Sequence, residues 1–228
     1  MPIFLDTSIA DEIKYFHKLG IIRGVTTNPS IISRDMIDNK DLNLKDYFIS
    51  LANLISPLPL SIEVTSNELN EMIDQSLEFS SWAKNINVKI TIHGPKGELD
   101  NIEVINILEN KHNLRVNVTA MMSAQQGLIA SLAGASYVSL FGGRVNNMGY
   151  NSIDEIKKLR KLIDFHQLKS KIIIGSTREV LNIVEWLVAG ADIVTCAPQF
   201  IKQMIIHPYT KETVQMFLND GKNIQIKK

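Results

Sequence analysis

Two patterns of hydrophobic and polar residues take turns along this chain, one typical of β-strands and one typical of α-helices. Short runs rich in β-branched residues are typical of buried parallel strands, and each is followed by a stretch with the helical spacing of apolar residues. The helical stretches include "SIADEIKYFHKLG" and "REVLNIVEWLVAG", both ending in Gly as helix C-termini often do. The predicted strands number eight: "IFLD", "GVTT", "LSIEV", "NVKITI", "RVNVT", "YVSLF", "KIIIGS" and "DIVTCA".

Eight strand–helix units in a chain of this length predict an α/β fold, a single-domain (β/α)8 TIM barrel over residues 1–228. No linker rich in Pro, Gly or Ser divides the sequence into two domains. The alternative is a doubly wound open sheet. The sequence disfavours it because no G-x-G-x-x-G fingerprint follows the first strand.

Composition indicates a soluble globular protein with small-molecule partners. Of the 228 residues 45% are hydrophobic, and 24 Lys and Arg balance 24 Asp and Glu, so no positive field would attract nucleic acid or a membrane. The lone Cys196 cannot form an internal disulfide, and "MPIFLDTS" lacks the features of a signal peptide, so we expect a cytoplasmic location. The five histidines show no metal-ligand spacing, which predicts neither a metal nor a cofactor.

Polar residues fall near the carboxyl ends of most predicted strands, where (β/α)8 barrels place their active sites. Strand alternation points Asn117 and Thr119 to the same side. Single members have structural explanations: Asp6 could cap a helix, Asn28 could form a turn and Glu63 could lie in solvent. A set on most of the strands predicts one functional site instead. Its members are Asp6, Asn28, Glu63, Lys89, Asn117, Thr119, Ser139 and Ser176.

Lys89 carries the most specific chemistry because it interrupts the β-branched run "NINVKITIH". Burial disfavours the charged form of a lysine, and a neutral amine is a nucleophile for a carbonyl carbon. Lys89 is therefore a candidate for Schiff-base formation. The alternative is an unreactive buried ion pair with Glu63 or Asp6, which would be a costly way to stabilise a core.

A second cluster predicts an anionic substrate. The segment "FGGRVNNMGYN" follows the sixth strand and "GSTREV" the seventh, which places Arg144, Ser176 and Arg178 at one rim of the barrel. Guanidinium groups and a hydroxyl match phosphate oxygens, and the last loops of such barrels often bind phosphate. A sugar phosphate would fit this rim. The alternative is that both arginines are solvated surface charges.

Eight motifs together resemble the compact transaldolase family, which includes fructose-6-phosphate aldolase. They run nearly end to end as "FLDTS", "GVTTNPSII", "SIEV", "NVKI", "VNVTAMMSAQQ", "YVSLFGGRVNNMGYN", "GSTR" and "AGADIVTCAPQFIKQMIIHPYT". The resemblance implies a class I aldolase mechanism without metal and a place in the pentose phosphate pathway. It also implies a homo-oligomer, a pentamer or decamer, in which a C-terminal helical arm, about 208–228, reaches a neighbouring chain.

Residue roles are implied by the same resemblance. Lys89 would form the imine with the ketose carbonyl, and Asp6 would transfer the proton at the hydroxyl beside the breaking carbon–carbon bond. Glu63 and Thr119 would hold the catalytic water. The remaining residues would bind substrate: Asn28, Asn117 and Ser139 the dihydroxyacetone hydroxyls, and Arg144, Ser176 and Arg178 the phosphate.

The resemblance also implies that Glu63 and Phe141 favour transfer over cleavage. Family members with aldolase activity carry Gln and Tyr at the positions of these two residues. The predicted reaction moves a dihydroxyacetone unit from a ketose phosphate to an aldose or aldose phosphate acceptor. Release of dihydroxyacetone by a fructose-6-phosphate-type aldolase is one alternative, and a catalytically silent sugar-phosphate-binding barrel is another. The sequence departs from the family at "KITIHGPKG" and "AMM", which flank the site, so the resemblance leaves the exact sugars open.

Overall fold

A computed structural model of the chain describes residues 2–35, 43–222 and 224. Within them, eight parallel strands pair in chain order and close into a barrel, with β8 beside β1. The predicted (β/α)8 barrel is therefore confirmed. The strands are β1 (Ile3–Asp6), β2 (Val25–Thr26), β3 (Leu60–Glu63), β4 (Ile86–Thr91), β5 (Val116–Met121), β6 (Tyr137–Leu140), β7 (Lys171–Ile174) and β8 (Ile193–Cys196).

Helices cover the outside of the barrel, and one or more follow every strand. No helix in the described ranges is long and apolar enough to cross a membrane. The helices are α1 (Ala10–Lys18), α2 (Pro29–Asp35), α3 (Leu44–Ile55), α4 (Leu69–Trp82), α5 (Asp100–Asn110), α6 (Ala124–Leu132), α7 (Gly142–Asn147), α8 (Ser152–Phe165), α9 (Val180–Val188), α10 (Pro198–Ile205) and α11 (Pro208–Lys222).

Strand alternation separates two buried layers. Residues such as Leu5, Val88 and Val118 belong to the main core, in which the strands pack against the helices. The neighbouring positions point into the barrel, where a smaller apolar cluster is buried. That cluster contains Phe4, Tyr137, Ile173 and Ile193.

Most of the remaining barrel interior is polar. Glu63 of β3 is paired in register with Lys89 of β4, and Lys89 in turn with Asn117 of β5, so three candidate residues lie at one level. Lys89 and Asn117 lie within their six-residue strands, as the predicted strands "NVKITI" and "RVNVT" place them. The site is thus built largely on rigid strands. The other buried polar residues of the strands are Thr26, Ser61, Asn87, Thr119, Ser139 and Thr195.

Candidate active site

The carboxyl ends of the eight strands surround a cavity of about 700 Å³, a volume typical of small-molecule sites. The cavity brings together every residue that the sequence analysis singled out as a candidate. Their functional roles stay predictions at this point. The eleven residues are Asp6, Asn28, Glu63, Lys89, Asn117, Thr119, Ser139, Phe141, Arg144, Ser176 and Arg178.

The amine of Lys89 has two oxygen partners. Nζ donates to the carbonyl oxygen of Thr27 at 2.7 Å and lies 3.0 Å from Oε2 of Glu63. Only 5% of Lys89 is accessible, yet both it and Glu63 line the cavity. This ion pair therefore borders a space that a ligand can enter, unlike a pair sealed inside a core.

Asp6 lies across the cavity in an environment that disfavours its charge. Burial raises the pKa of Asp6 above its ordinary value, although a hydrogen bond from Thr26 Oγ1 at 2.6 Å and the nearby charges of Lys89 and Arg34 oppose that shift. A carboxyl group with a raised pKa is suited to exchanging a proton with substrate near neutral pH.

Cys196, on β8, is buried in the main core and also lines the cavity. Burial, together with the charge of Asp6, raises the pKa of its thiol to about 12. The thiol stays protonated at neutral pH and is a weak nucleophile.

Two hydroxyl oxygens on the cavity wall are buried without a hydrogen-bond partner in the described part of the chain, those of Thr119 and Ser176. Buried polar atoms are nearly always paired, so an unpaired hydroxyl on a residue that lines a cavity points to a water or ligand as its partner. Ser176 also has a left-handed backbone, with φ of 61°. Such a conformation costs free energy in a residue other than glycine and is common at functional sites.

Asparagine side chains on the wall are held by hydrogen bonds. Ser139 Oγ donates to Asn117 Oδ1 at 2.6 Å, and Asn117 Nδ2 donates to Ser61 Oγ at 3.3 Å. Asn28 Oδ1 accepts the N–H of Ile31 at 2.9 Å, so Asn28 holds the start of α2 as well as lining the cavity.

One rim of the cavity is cationic. The guanidinium carbon of Arg144 lies 5.0 Å from the centroid of the Phe141 ring, a cation–π contact that holds the arginine at the rim. Arg178 follows β7 on the same side, two residues after Ser176. Both arginines and Ser176 line the cavity.

Sequence reasoning missed several cavity residues. Arg34 lines the mouth and pairs at 2.7 Å with Asp35, which accepts the N–H of Ser8 at 2.9 Å and so joins α2 to the segment after Asp6. Burial alone would raise the pKa of Asp35, but the hydrogen bonds from Ser8 and the ion pair with Arg34 outweigh burial and lower it. Strand alternation could have identified Thr26 and Thr195, which lie on β2 and β8, but not Gln199 and Phe200 of α10.

A parallel barrel with a polar cavity at the carboxyl ends of its strands has the architecture of a (β/α)8 enzyme. The chain belongs to the transaldolase/fructose-6-phosphate aldolase family, whose family model matches residues 3–228. Within the described ranges, no group of three or more His, Cys, Asp or Glu side chains is arranged to hold a metal ion.

Several bacterial relatives match along almost their whole length. The chain is 38% identical over 220 residues to a "Probable transaldolase" of Carboxydothermus hydrogenoformans. This alignment covers 96% of this chain and 97% of that protein. The chain is 36% identical over 225 residues to a "Probable transaldolase" of Lactiplantibacillus plantarum, covering 99% and 98%. Thiamine phosphate pyrophosphorylase from Pyrococcus furiosus, at 12% identity, shares only the fold, with a TM-score of 0.54 and coverage of 86% and 85%.

Asp6→Asn should stabilise the folded chain at neutral pH, because burial holds the pKa of Asp6 above its ordinary value. A carboxyl group whose pKa is raised by folding stabilises the fold below its unfolded pKa, and that contribution is lost as the pH rises through the folded pKa. Asparagine does not ionise, so the variant does not lose stability in this way as the pH rises. Its free energy of unfolding, measured with denaturant at several pH values, should therefore increasingly exceed that of the unsubstituted chain as the pH rises.

Asp74→Asn, which removes an exposed carboxyl group of α4, is the matched control. The same pH trend in both variants would contradict the assignment of the effect to Asp6.

Proposed function

We propose that this protein is a transaldolase that transfers a dihydroxyacetone unit from a ketose phosphate to an aldose phosphate through a Schiff base on Lys89. The observation that carries the proposal is the Lys89 amine, which lies on the cavity wall 3.0 Å from the Glu63 carboxylate. The family to which the chain belongs supports the same chemistry.

The reaction begins with attack of the Lys89 amine on the ketose carbonyl and loss of water, which leaves an imine. Asp6 then accepts the proton of the hydroxyl on the departing carbon atom as the carbon–carbon bond breaks, and this oxygen becomes the carbonyl oxygen of the aldehyde phosphate that leaves. A three-carbon enamine stays on Lys89. The enamine attacks the carbonyl carbon of the acceptor, whose oxygen takes the proton back from Asp6. Water finally hydrolyses the imine, which releases the new ketose phosphate and restores Lys89.

Each substrate group has a chemically matched partner on the cavity wall. Glu63 and the unpaired hydroxyl of Thr119 would hold the water of imine formation and hydrolysis. Asn28, Asn117 and Ser139 would bind the dihydroxyacetone hydroxyls, while Arg144, Ser176 and Arg178 would bind the phosphate. The protein would thereby act in sugar-phosphate metabolism in the cytoplasm, in the pentose phosphate pathway.

The position of the Lys89–Glu63 ion pair on the cavity wall favours catalysis over binding alone. A sugar-phosphate-binding barrel would need the arginines and amides but would gain nothing from a buried amine beside an entry cavity. Cleavage to free dihydroxyacetone is the closer competitor, since it shares every step through the enamine. Glu63 and Phe141 support transfer, because a carboxylate that holds the water and the lack of a phenolic hydroxyl at position 141 should leave the enamine protonated only slowly.

We also propose a homo-oligomer in which α11 serves as the arm to a neighbouring chain. None of the α11 residues in the described part is buried, and Val214, Phe217 and Leu218 expose apolar side chains at the three- and four-residue spacing of one helix face. A helix with an uncovered apolar face is marginal in water, so a partner chain would stabilise it.

Lys89→Met should abolish transfer and covalent trapping, because it removes the nitrogen that forms the imine. Borohydride reduction in the presence of fructose 6-phosphate, followed by intact-mass measurement, should give an adduct with the unsubstituted chain and none with the variant. Lys84→Met, at an exposed lysine just before β4, should keep both activities. An adduct on the folded Lys89→Met chain would rule out Lys89 as the reactive amine.

Arg144→Ala should raise the Michaelis constant for phosphorylated substrates and leave non-phosphorylated ones nearly unchanged. Loss of a charge-assisted contact should cost about 1.5 to 3 kcal/mol, seen in kcat/KM. Lys157→Ala, which removes an exposed cation of α8, controls for the change in net charge. Equal losses on both kinds of substrate would show that Arg144 is structural.

Phe141→Tyr should increase release of free dihydroxyacetone relative to transfer, because it adds a proton donor at the cavity mouth. Glu63→Gln should act in the same direction, since it removes a charge that tunes the water. One assay with and without an aldose phosphate acceptor measures both fates of the enamine. Efficient cleavage by the unsubstituted chain without acceptor, with a ratio that neither substitution changes, would favour the aldolase alternative.

A further inference from the structure

We propose that Trp186 is a positioning residue for phosphate binding, acting through α7, the short helix that carries Arg144. The inference rests on the proposed function in one respect, the assignment of phosphate to the rim formed by Arg144 and Ser176. Trp186 lies on α9, is 0% exposed and is absent from the cavity lining, so any effect on substrate passes through other residues.

The indole ring fixes the start of α7. A Cβ atom added to Gly142, the first residue of this helix, would lie 2.7 Å from Cζ2 of Trp186 and 2.8 Å from Cγ2 of Ile174. No side chain fits into that space. The backbone of α7 therefore packs directly against the ring, and the bulk of the ring sets where the helix begins.

The indole nitrogen holds the other end of α7. Trp186 Nε1 donates to Oγ of Ser152 at 2.8 Å, and the backbone N–H of Ser152 donates to Oδ1 of Asn146 at 3.0 Å. Ser152 begins α8 and is buried, while Asn146 lies in the last turn of α7. One side chain thus contacts α7 at its start and, through two hydrogen bonds, near its end, with Arg144 between them.

Movement of α7 would also displace Ser176. A Cβ atom on Gly143 would lie 1.8 Å from the carbonyl oxygen of Ser176, so the α7 backbone lies directly against the segment that follows β7. That contact holds the left-handed backbone of Ser176, a cavity-lining residue whose hydroxyl has no partner in the described part of the chain. Arg144 and Ser176, which belong to different strand–helix connections, are consequently positioned by the same helix.

The test compares the same substitution at the two tryptophans. Trp186→Phe removes the N–H that bonds Ser152, and Ser152→Ala removes its acceptor. Trp82→Phe is the matched control, because Trp82 packs on Phe48 and Phe79 and its buried Nε1 has no partner in the described part of the chain. Trp186→Phe and Ser152→Ala should raise KM for fructose 6-phosphate several-fold, up to about 100-fold, since small misplacements of binding groups reduce catalysis by that order.

A second measurement separates positioning from general damage to the fold. Half-maximal borohydride trapping with dihydroxyacetone, which carries no phosphate, should need the same concentration in all three variants as in the unsubstituted chain. Calorimetric titration with inorganic phosphate should show weaker binding by the Trp186→Phe and Ser152→Ala variants and unchanged binding by Trp82→Phe.

The outcomes distinguish this inference from the proposed function. Unchanged KM and phosphate affinity in the Ser152→Ala variant, or an equal weakening of dihydroxyacetone trapping, would overturn the role of Trp186. Absence of trapping in the unsubstituted chain, with weaker phosphate binding confined to the Trp186 and Ser152 variants, would overturn the Schiff-base proposal and support the positioning role.

Discussion

The ammonium group of Lys89 needs hydrogen-bond acceptors inside a barrel whose own backbone groups are mostly paired with each other. It finds them in the carboxylate of Glu63 on the neighbouring strand and in the carbonyl oxygen of Thr27, which lies just beyond the end of β2. A charge buried without such partners would be expensive. The polar interior around it is therefore a condition for keeping an amine at this depth.

That condition explains how the inside of the barrel is filled. Large aliphatic side chains fill the interior of many parallel barrels, whereas here the apolar filling is confined to the cluster of Phe4, Tyr137, Ile173 and Ile193. Small polar side chains such as Ser61, Ser139 and Thr195 occupy other inward-facing positions. They leave room for the cavity to reach Lys89 and supply hydrogen bonds that orient Asn117. The same residues thus provide hydrogen bonds inside the barrel and determine the shape of the cavity.

The barrel and the proximity of the candidate residues could be predicted from the sequence alone. Strand alternation and the common direction of parallel strands both follow from the local pattern of hydrophobic residues. The sequence placed Lys89 within a strand, as β4 has it, but could not predict how deep the cavity reaches. The position of the cavity floor depends on side chains contributed by several strands at once. Arg34 was missed for a related reason, since it follows no strand directly and reaches the mouth from the last turn of α2.

The contact between Gly142 and Trp186 restricts how this sequence can diverge. Any side chain at position 142 would occupy space that the indole ring already fills, and a smaller residue at position 186 would leave a void beside a glycine. Neither position can change alone without loss of packing, so the two should drift as a pair across related sequences. Relatives with a β-carbon at position 142 should carry smaller side chains at position 186 and at position 174, because Ile174 lies almost equally close to the same point.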